Sequence, residues 1–220
     1  MSDVVTNFIN SFNAKPTKGA KRIGLFFGSF NPIHIGHLIL ANHFANYTVM
    51  DEVWFVVSPQ NPHKVKASLL DEIHRLAMVR EAVDDNLKLK ASNIEFDLPK
   101  PSYTIDTLAY LKEKHPTYHF ALIMGEDNLR SFHRWKNYDV ILEKYPIFVY
   151  PRVYTVQELK AEKSDADNGL LEHPNIHMVD APLMKISSSF IRQAIKDRKD
   201  VKYLVSEPVY KYMVEMNFYR

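Results

Sequence analysis

Apolar positions along this chain fall into short, continuous runs, and longer stretches with helical spacing separate them. Six runs are rich in aliphatic, β-branched or aromatic residues and predict strands. They cover residues 23–27, 53–57, 87–96 (interrupted), 119–124, 147–150 and 176–179. Runs that are continuously apolar, rather than alternating, are typical of strands buried on both faces, as in parallel sheets.

The stretches between these runs predict helices. One is headed by Ser68 and Asp71 in a pattern like a capping box, and others follow Thr104 and the serines at 187–189. Strands that alternate with helices indicate an α/β fold. We expect a Rossmann-like, doubly wound parallel sheet with helices on both faces and a small helical C-terminal part. Ligands of such sheets bind beyond the carboxyl ends of the strands.

The length of 220 residues is that of one domain, or of one domain with an appendage. Polar residues 1–20 predict an N-terminal extension with a short helix around residues 8–12, and residues 21–220 predict the main domain. The charged segment 162–174 predicts a surface loop or the frayed end of a helix. With 46% hydrophobic and 25% charged residues, the composition is that of a globular protein with a full core.

Charge and composition exclude several classes of protein. The 28 basic and 26 acidic side chains leave a formal charge of +2, which argues against extended nucleic-acid or membrane-surface binding. The absence of cysteine excludes disulfides, thiolate catalysis and cysteine-ligated metals. No apolar run approaches the ~20 residues that span a bilayer, and the N-terminus lacks a secretory pattern. We expect a cytoplasmic protein without nucleic-acid or membrane partners, and the sequence leaves open whether it forms a homo-oligomer.

The segment 28–37, here called the first loop, reads GSFNPIHIGH and directly follows the first predicted strand. Gly28 lets the backbone turn tightly beneath a ligand, and the Asn-Pro pair is a turn signal. A helix is predicted to begin near His34 and His37, and helix starts offer unpaired N–H groups to anions. Histidines three positions apart share one face of a helical turn. The first loop therefore predicts a phosphate site; the alternative is two surface histidines at a helix cap.

Four further segments supply weaker candidates. The segment 186–192, here called the serine motif, reads ISSSFIR; its serines either cap a helix or bind phosphates together with Arg192. Lys64 follows a strand and either contacts the same ligand or is a solvated lysine. Asp127, after Gly125, either holds ribose hydroxyls or caps a helix. Trp135 either stacks on a ligand or belongs to an aromatic core stripe.

Together these motifs resemble the bacterial nicotinate-nucleotide adenylyltransferases, within the nucleotidyltransferases marked by His-x-Gly-His. The resemblance covers the chain from residue 22 onward. Beyond the first loop and the serine motif, it rests on NPHK at 61–64, PSYTIDTL at 101–108, GEDNL at 125–129, Trp135, and Pro-Arg at 151–152. The SYTIDTL segment and Trp135 are the features that make the resemblance specific to enzymes acting on pyridine nucleotides.

The resemblance implies that ATP and nicotinate mononucleotide are converted to deamido-NAD and pyrophosphate. It assigns phosphate binding and catalysis to His34, His37, Lys64 and Arg192. It implies an ATP site formed by Gly28, Ser29, Phe30, Gly36, Gly125, Asp127, Ile186, Ser187 and Ser188. It implies a pyridine-nucleotide site formed by Asn31, Thr104, Trp135 and Lys136. Mg²⁺ is expected to travel with ATP, without a metal site built from protein side chains.

Two features depart from the family pattern. Asn61 stands where the family usually has the first of two prolines, and residues 1–20 lie outside the pattern. Alternative functions are an adenylyltransferase that prefers nicotinamide mononucleotide or accepts both, and a non-catalytic nucleotide-binding module of the same fold. Pantetheine-phosphate adenylyltransferases share the first loop but lack the SYTIDT segment. Class I aminoacyl-tRNA synthetases share His-Ile-Gly-His but need more than 220 residues.

Overall fold

A parallel sheet organises the molecule. The computed structural model describes Phe12 and residues 19–59, 69–151 and 169–220. Within these ranges the strands are β1 (Arg22–Gly28), β2 (Glu52–Val57), β3 (Leu89–Ser92), β4 (His119–Gly125), β5 (Ile147–Tyr150) and β6 (Ile176–Met178). Their spatial order is β3-β2-β1-β4-β5-β6, and every neighbouring pair is parallel. After β1 the chain adds β2 and β3 on one side of the sheet. It then returns to the centre, where β4 lies beside β1, and adds β5 and β6 on the other side.

Helices connect the strands and complete the C-terminal part. They are α1 (Ile35–Tyr47), α2 (Glu72–Val83), α3 (Thr104–Lys114), α4 (Glu126–Arg130), α5 (Tyr138–Lys144), α6 (Ser188–Lys196) and α7 (Glu207–Glu215). Short 3₁₀ turns lie at Ile94–Asp97, Phe132–Arg134, Leu170–Glu172 and Lys202–Leu204. None of the helices in the described ranges is long and apolar enough to cross a membrane.

Hydrophobic cores cover both faces of the sheet. One cluster joins strand residues such as Phe26 and Phe55 to apolar residues of α1, α2, α6 and α7. The other joins Ile23 and Leu25 to apolar residues of α3 and α5. Because successive strand residues point to opposite faces, the continuous apolar runs are explained by burial on both sides. The predicted doubly wound α/β fold is confirmed.

The predicted strands lie within a few residues of the observed ones. The interrupted run 87–96 resolves into β3 and the following 3₁₀ turn. Asp71 stands at the start of α2 as expected, but its side chain makes no capping hydrogen bond. Ser68, Lys64, part of the predicted loop 162–174 and most of the predicted extension lie outside the described residues. From that extension, Phe12 is 1% exposed and packs against Phe148, with ring centroids 5.9 Å apart.

Candidate active site

The first loop leads from the end of β1 into α1, and its two histidines cap each other. The His34 N–H donates to His37 Nδ1 at 3.2 Å, and the His37 N–H donates to His34 Nδ1 at 3.4 Å. The rings stack with centroids 3.7 Å apart and planes 21° apart. This is a capping box in which two imidazoles take the places of the usual Ser and Glu side chains. The pair therefore belongs to the structure of the helix start as well as to any ligand site.

These bonds fix which ring nitrogen carries the proton. Each Nδ1 accepts a backbone N–H, so each neutral ring holds its proton on Nε2. Burial lowers the pKa of His34 to about 4. At neutral pH His34 is therefore an uncharged ring whose Nε2–H can donate to an anion.

Close packing explains two glycines around the histidines. A Cβ on Gly28 would lie 2.8 Å from the Phe30 ring, which itself meets the His37 ring edge-on at 5.2 Å. A Cβ on Gly36 would lie 2.6 Å from Ile186 Cγ2 and 3.1 Å from His34 Nδ1. Larger residues at either position would move the histidines, and at Gly36 they would also separate α1 from the serine motif.

The serine motif docks on the first loop across more than 150 residues of sequence. Ser188 Oγ donates to the Pro32 carbonyl at 2.9 Å, and Arg192 Nη1 donates to the Asn31 carbonyl at 2.8 Å. Arg192 Nη2 lies 3.1 Å from Ser189 Oγ, and Ser187 caps α6 by accepting the Phe190 N–H at 3.2 Å. The structure thus brings together the two motifs that sequence predicts to share a phosphate.

Sequence reasoning did not single out Arg75. This residue connects the first loop to the residues on both sides of 60–68. Its side chain is fully buried, and its guanidinium donates to the carbonyls of Leu70, Ser29, Ser58 and Pro59 at 2.7–3.0 Å. Ser29 belongs to the first loop, whereas the other three flank residues 60–68. Arg75 lies on the buried side of α2 with Leu76 and Val79, where a charged residue is unusual, and sequence reasoning did not use this signal.

Asn31 lies at the centre of the first loop and is 3% exposed. Its Oδ1 accepts the hydroxyl of Tyr219 at 2.8 Å and the N–H of Leu70 at 3.3 Å, while its carbonyl holds Arg192. Asn31 was expected to contact the pyridine nucleotide. The contacts of its Oδ1 and carbonyl place it within the framework of the loop, next to the Arg192 guanidinium.

The residues expected on the pyridine side gather at the start of α3. Thr104 is the first residue of α3. The Lys136 ammonium lies 2.9 Å from Asp106 Oδ2 and 4.7 Å from the centre of the Tyr103 ring. Trp135 is half-buried and packs edge-on against Phe132, with centroids 5.3 Å apart. These contacts join the first turn of α3 to the Trp135 segment.

The buried carboxylate of Glu95 forms hydrogen bonds with residues at the start of α3. Glu95 is 2% exposed and accepts the hydroxyls of Thr107 at 2.8 Å and Ser102 at 3.2 Å, with Ser58 as a third donor. Burial raises its pKa. A lone acidic residue inside the apolar run Ile94-Glu95-Phe96 was a signal in the sequence, and it was missed. Its bonds connect the end of β2 to α3.

The end of β4 contributes the remaining predicted ATP residues. Gly125 ends β4 and precedes α4, and a Cβ on it would lie 2.5 Å from Asp127 Oδ1 and 3.2 Å from the Tyr150 ring. The absence of a side chain lets the Asp127 carboxylate lie over the strand end. Because β1 and β4 are neighbours, Gly28 and Gly125 both end strands at the point where the order of the strands reverses.

No group of three or more His, Asp or Glu side chains in the described ranges could hold a metal ion. Lys64 lies outside those ranges. The donors that converge are imidazole, guanidinium, hydroxyl and helix-start N–H groups. These suit phosphate oxygens.

Comparison with known proteins agrees with this chemistry. Residues 25–194 match the cytidylyltransferase-like family. Among curated relatives, a protein of Christiangramia forsetii is 55% identical, over 91% of this chain and 99% of its own. A protein of Bacteroides fragilis is 42% identical, over 88% and 92%. Both are named probable nicotinate-nucleotide adenylyltransferase.

Solved structures agree on the fold. The nicotinic acid mononucleotide adenylyltransferase of Plasmodium falciparum, in its complex with NaAD, superposes with a TM-score of 0.73. The match covers 90% of this chain and 97% of that one at 22% identity. On the strength of its sequence relatives, the chain belongs to the nicotinate-nucleotide adenylyltransferases, within the cytidylyltransferase-like family.

Proposed function

We propose that this protein transfers the adenylyl group of ATP to nicotinate mononucleotide, giving deamido-NAD and pyrophosphate. The observation that carries the proposal is the docking of the serine motif on the first loop at the switch point of the sheet. There, the Arg192 guanidinium binds the Asn31 carbonyl of the same loop that carries the stacked pair of His34 and His37. Membership of the family supports the same reaction.

The reaction requires positioning and charge stabilisation rather than a nucleophilic side chain. A phosphate oxygen of the mononucleotide forms a bond to the α-phosphorus of ATP. The bond from that phosphorus to the bridging oxygen breaks, and pyrophosphate leaves with the electron pair. The attacking phosphate is already an anion, so neither a general base nor a covalent enzyme intermediate is needed.

The site residues divide between the two halves of ATP. His34 and His37 would donate Nε2–H bonds to the α-phosphoryl oxygens, where negative charge concentrates during transfer. Arg192 would bind the departing phosphates, with help from Ser187, Ser188 and, beyond the described residues, Lys64. Gly125 and Asp127 would meet the ribose. The walls of the ATP site would be formed by Gly28, Ser29, Phe30, Gly36 and Ile186.

ATP would bind as its magnesium complex. Mg²⁺ binds phosphate oxygens and keeps several of its waters, so we expect the phosphates and water to supply most of its coordination. The ion would neutralise charge on the leaving pyrophosphate. The side chains would then orient the complex.

The pyridine nucleotide would occupy the pocket at the start of α3. Trp135 would stack on the ring, while Thr104 and Lys136 would receive the carboxylate at a helix start that favours anions. Asn31, whose backbone and Oδ1 are engaged within the loop, would define the boundary between the two substrates.

Replacing His37 tests this assignment. His37→Ala removes one donor to the transferring phosphoryl group and should lower kcat by about 10²-fold, with a much smaller change in KM for the mononucleotide. The measurement is pyrophosphate release from ATP, with and without nicotinate mononucleotide. His43→Ala, on the same helix but outside the loop, is the matched control and should resemble the wild type.

The assay also separates the alternatives. An unchanged kcat in His37→Ala contradicts the role of the histidines. Wild-type protein that binds ATP but releases no pyrophosphate with either pyridine mononucleotide would be a nucleotide-binding module. Release with the amide substrate alone would identify the alternative specificity, with the same chemistry.

A further inference from the structure

The C-terminal residues fold back onto the base of the active site. After α7 ends at Glu215, Asn217 and Tyr219 adopt left-handed backbone conformations, with φ of 56° and 65°. For a tyrosine this conformation is uncommon and persists only where surrounding contacts hold it. Here Phe218 packs against the His74 ring of α2, with centroids 5.0 Å apart. The turn delivers the Tyr219 side chain to the first loop.

Tyr219 makes one hydrogen bond of particular consequence. Its hydroxyl donates to Asn31 Oδ1 at 2.8 Å, across 188 positions of sequence. Burial raises the pKa of the phenol, so it remains a protonated donor at any physiological pH. The same Asn31 oxygen accepts a longer bond, 3.3 Å, from the N–H of Leu70. The bond from the phenol is therefore the shorter of these two.

Asn31 in turn sets the position of Arg192. The carbonyl of Asn31 accepts Arg192 Nη1 at 2.8 Å, and the neighbouring carbonyl of Pro32 accepts Ser188. A rotation of the Asn31 residue would therefore move the acceptors on which the serine motif rests. Sub-ångström changes of this kind matter where a reaction depends on aligned groups.

We propose that Tyr219 is a positioning residue of the adenylyl-transfer site: through Asn31 it fixes the first loop and, with it, the guanidinium that binds the ATP phosphates. This inference rests on the proposed function. It assigns the C-terminal segment a role on the ATP side of the site and not on the pyridine side.

Tyr219→Phe tests the proposal because it removes only the hydroxyl. We expect kcat to fall about 10-fold and KM for ATP to rise about 5-fold, with KM for nicotinate mononucleotide unchanged. Tyr212→Phe is the matched control. It removes a phenol of α7 that pairs with His74 Nδ1 at 2.9 Å but does not reach the loop. Its kinetic constants should match those of the wild type.

A double-mutant cycle identifies the route of the effect. If Tyr219 acts through Asn31, Tyr219→Phe should cause no further loss in an Asn31→Ala background. Additive losses would overturn the proposal, as would a Tyr219→Phe enzyme with wild-type constants or with equal increases in both KM values. Thermal unfolding of each variant shows whether folding, rather than positioning, has changed.

Equilibrium binding of a non-hydrolysable ATP analogue separates this inference from the proposed function. Weaker binding by Tyr219→Phe than by Tyr212→Phe supports the positioning role even if the wild type transfers no adenylyl group. Equal binding by the two variants overturns it even if the wild type is an active adenylyltransferase.

Discussion

At the scale of single residues, His34 shows how a side chain can serve structure and chemistry together. Its Nδ1 is committed to the start of α1, which leaves the proton on Nε2. Burial then favours the neutral ring, with a pKa of about 4. A neutral donor suits a site that also holds Arg192, because a second full charge in the buried loop would cost solvation energy.

This low pKa makes folding stability depend on pH. In the unfolded chain His34 binds a proton near pH 6.5, whereas in the folded protein it does so only near pH 4. Between these values the unfolded state binds more protons, so the free energy of unfolding falls as the pH is lowered. The contribution of His34 amounts to about 2 kcal/mol between pH 7 and pH 5.

Urea unfolding at pH 7 and pH 5 measures this contribution. His34→Asn keeps a residue suited to capping but removes the titrating group. The wild type should lose about 2 kcal/mol more than this variant between the two pH values. Equal losses in the two proteins would mean that the ring is not held in its neutral form.

At the scale of elements, α2 acts as the link between two loops that follow different strands. Arg75 projects from this helix and satisfies carbonyls on the first loop and on both sides of residues 60–68. A lysine could not bind four carbonyls in this arrangement, because only the planar guanidinium offers donors in several fixed directions. The helix thereby connects the first loop to the residues that flank 60–68.

Removing this guanidinium should destabilise the protein strongly. Arg75→Met leaves four buried or partly buried carbonyls without this donor, and we expect a loss of about 3 kcal/mol or more in the free energy of unfolding. Arg80→Met, an exposed position on the same helix, should change it by less than about 0.5 kcal/mol. Urea denaturation of both variants makes the comparison, and equal stabilities would show that the carbonyls find other partners.

Contiguous elements were predictable from sequence, whereas the connections between distant ones were not. The first loop and the serine motif each carry turn, capping and charge signals within ten residues, and both were recognised. Arg75 and Tyr219 derive their importance from partners 46 and 188 positions away. Arg75 also occupies a core-facing helical position where the pattern predicts an apolar residue. Single-sequence periodicity carries no information about such contacts.

At the scale of the whole molecule, the order of the strands explains why two substrates meet. Strands β1 and β4 are neighbours, but the connections that follow them run in opposite directions. The first loop therefore opens on one side of the reversal, and the segment carrying Trp135 lies on the other. The serine motif belongs to the C-terminal part and packs against the first loop. The proposed site therefore draws residues from both halves of the chain.

This division predicts that the choice of pyridine substrate depends on the second half alone. The start of α3 presents backbone N–H donors, which suit a carboxylate, and the Lys136 ammonium lies beside it in an ion pair with Asp106. The amide analogue would turn an NH₂ group toward these donors and leave buried groups unpaired. An unmet buried donor costs about 1–3 kcal/mol, so kcat/KM should favour nicotinate over nicotinamide mononucleotide by roughly 5- to 150-fold.

The ratio of kcat/KM for the two mononucleotides measures this preference, with KM for ATP as the internal control. KM for ATP should be the same with either substrate, because His34, His37 and Arg192, which are assigned to the ATP phosphates, do not contact the pyridine ring in this scheme. Tyr219→Phe should lower both kcat/KM values and leave their ratio unchanged, since it acts on the ATP side. A ratio of nicotinate to nicotinamide kcat/KM below one would mean that the amide is the preferred substrate, and a ratio of one would mean no preference. A ratio altered by Tyr219→Phe would mean that the ATP side and the pyridine side of the site are not independent.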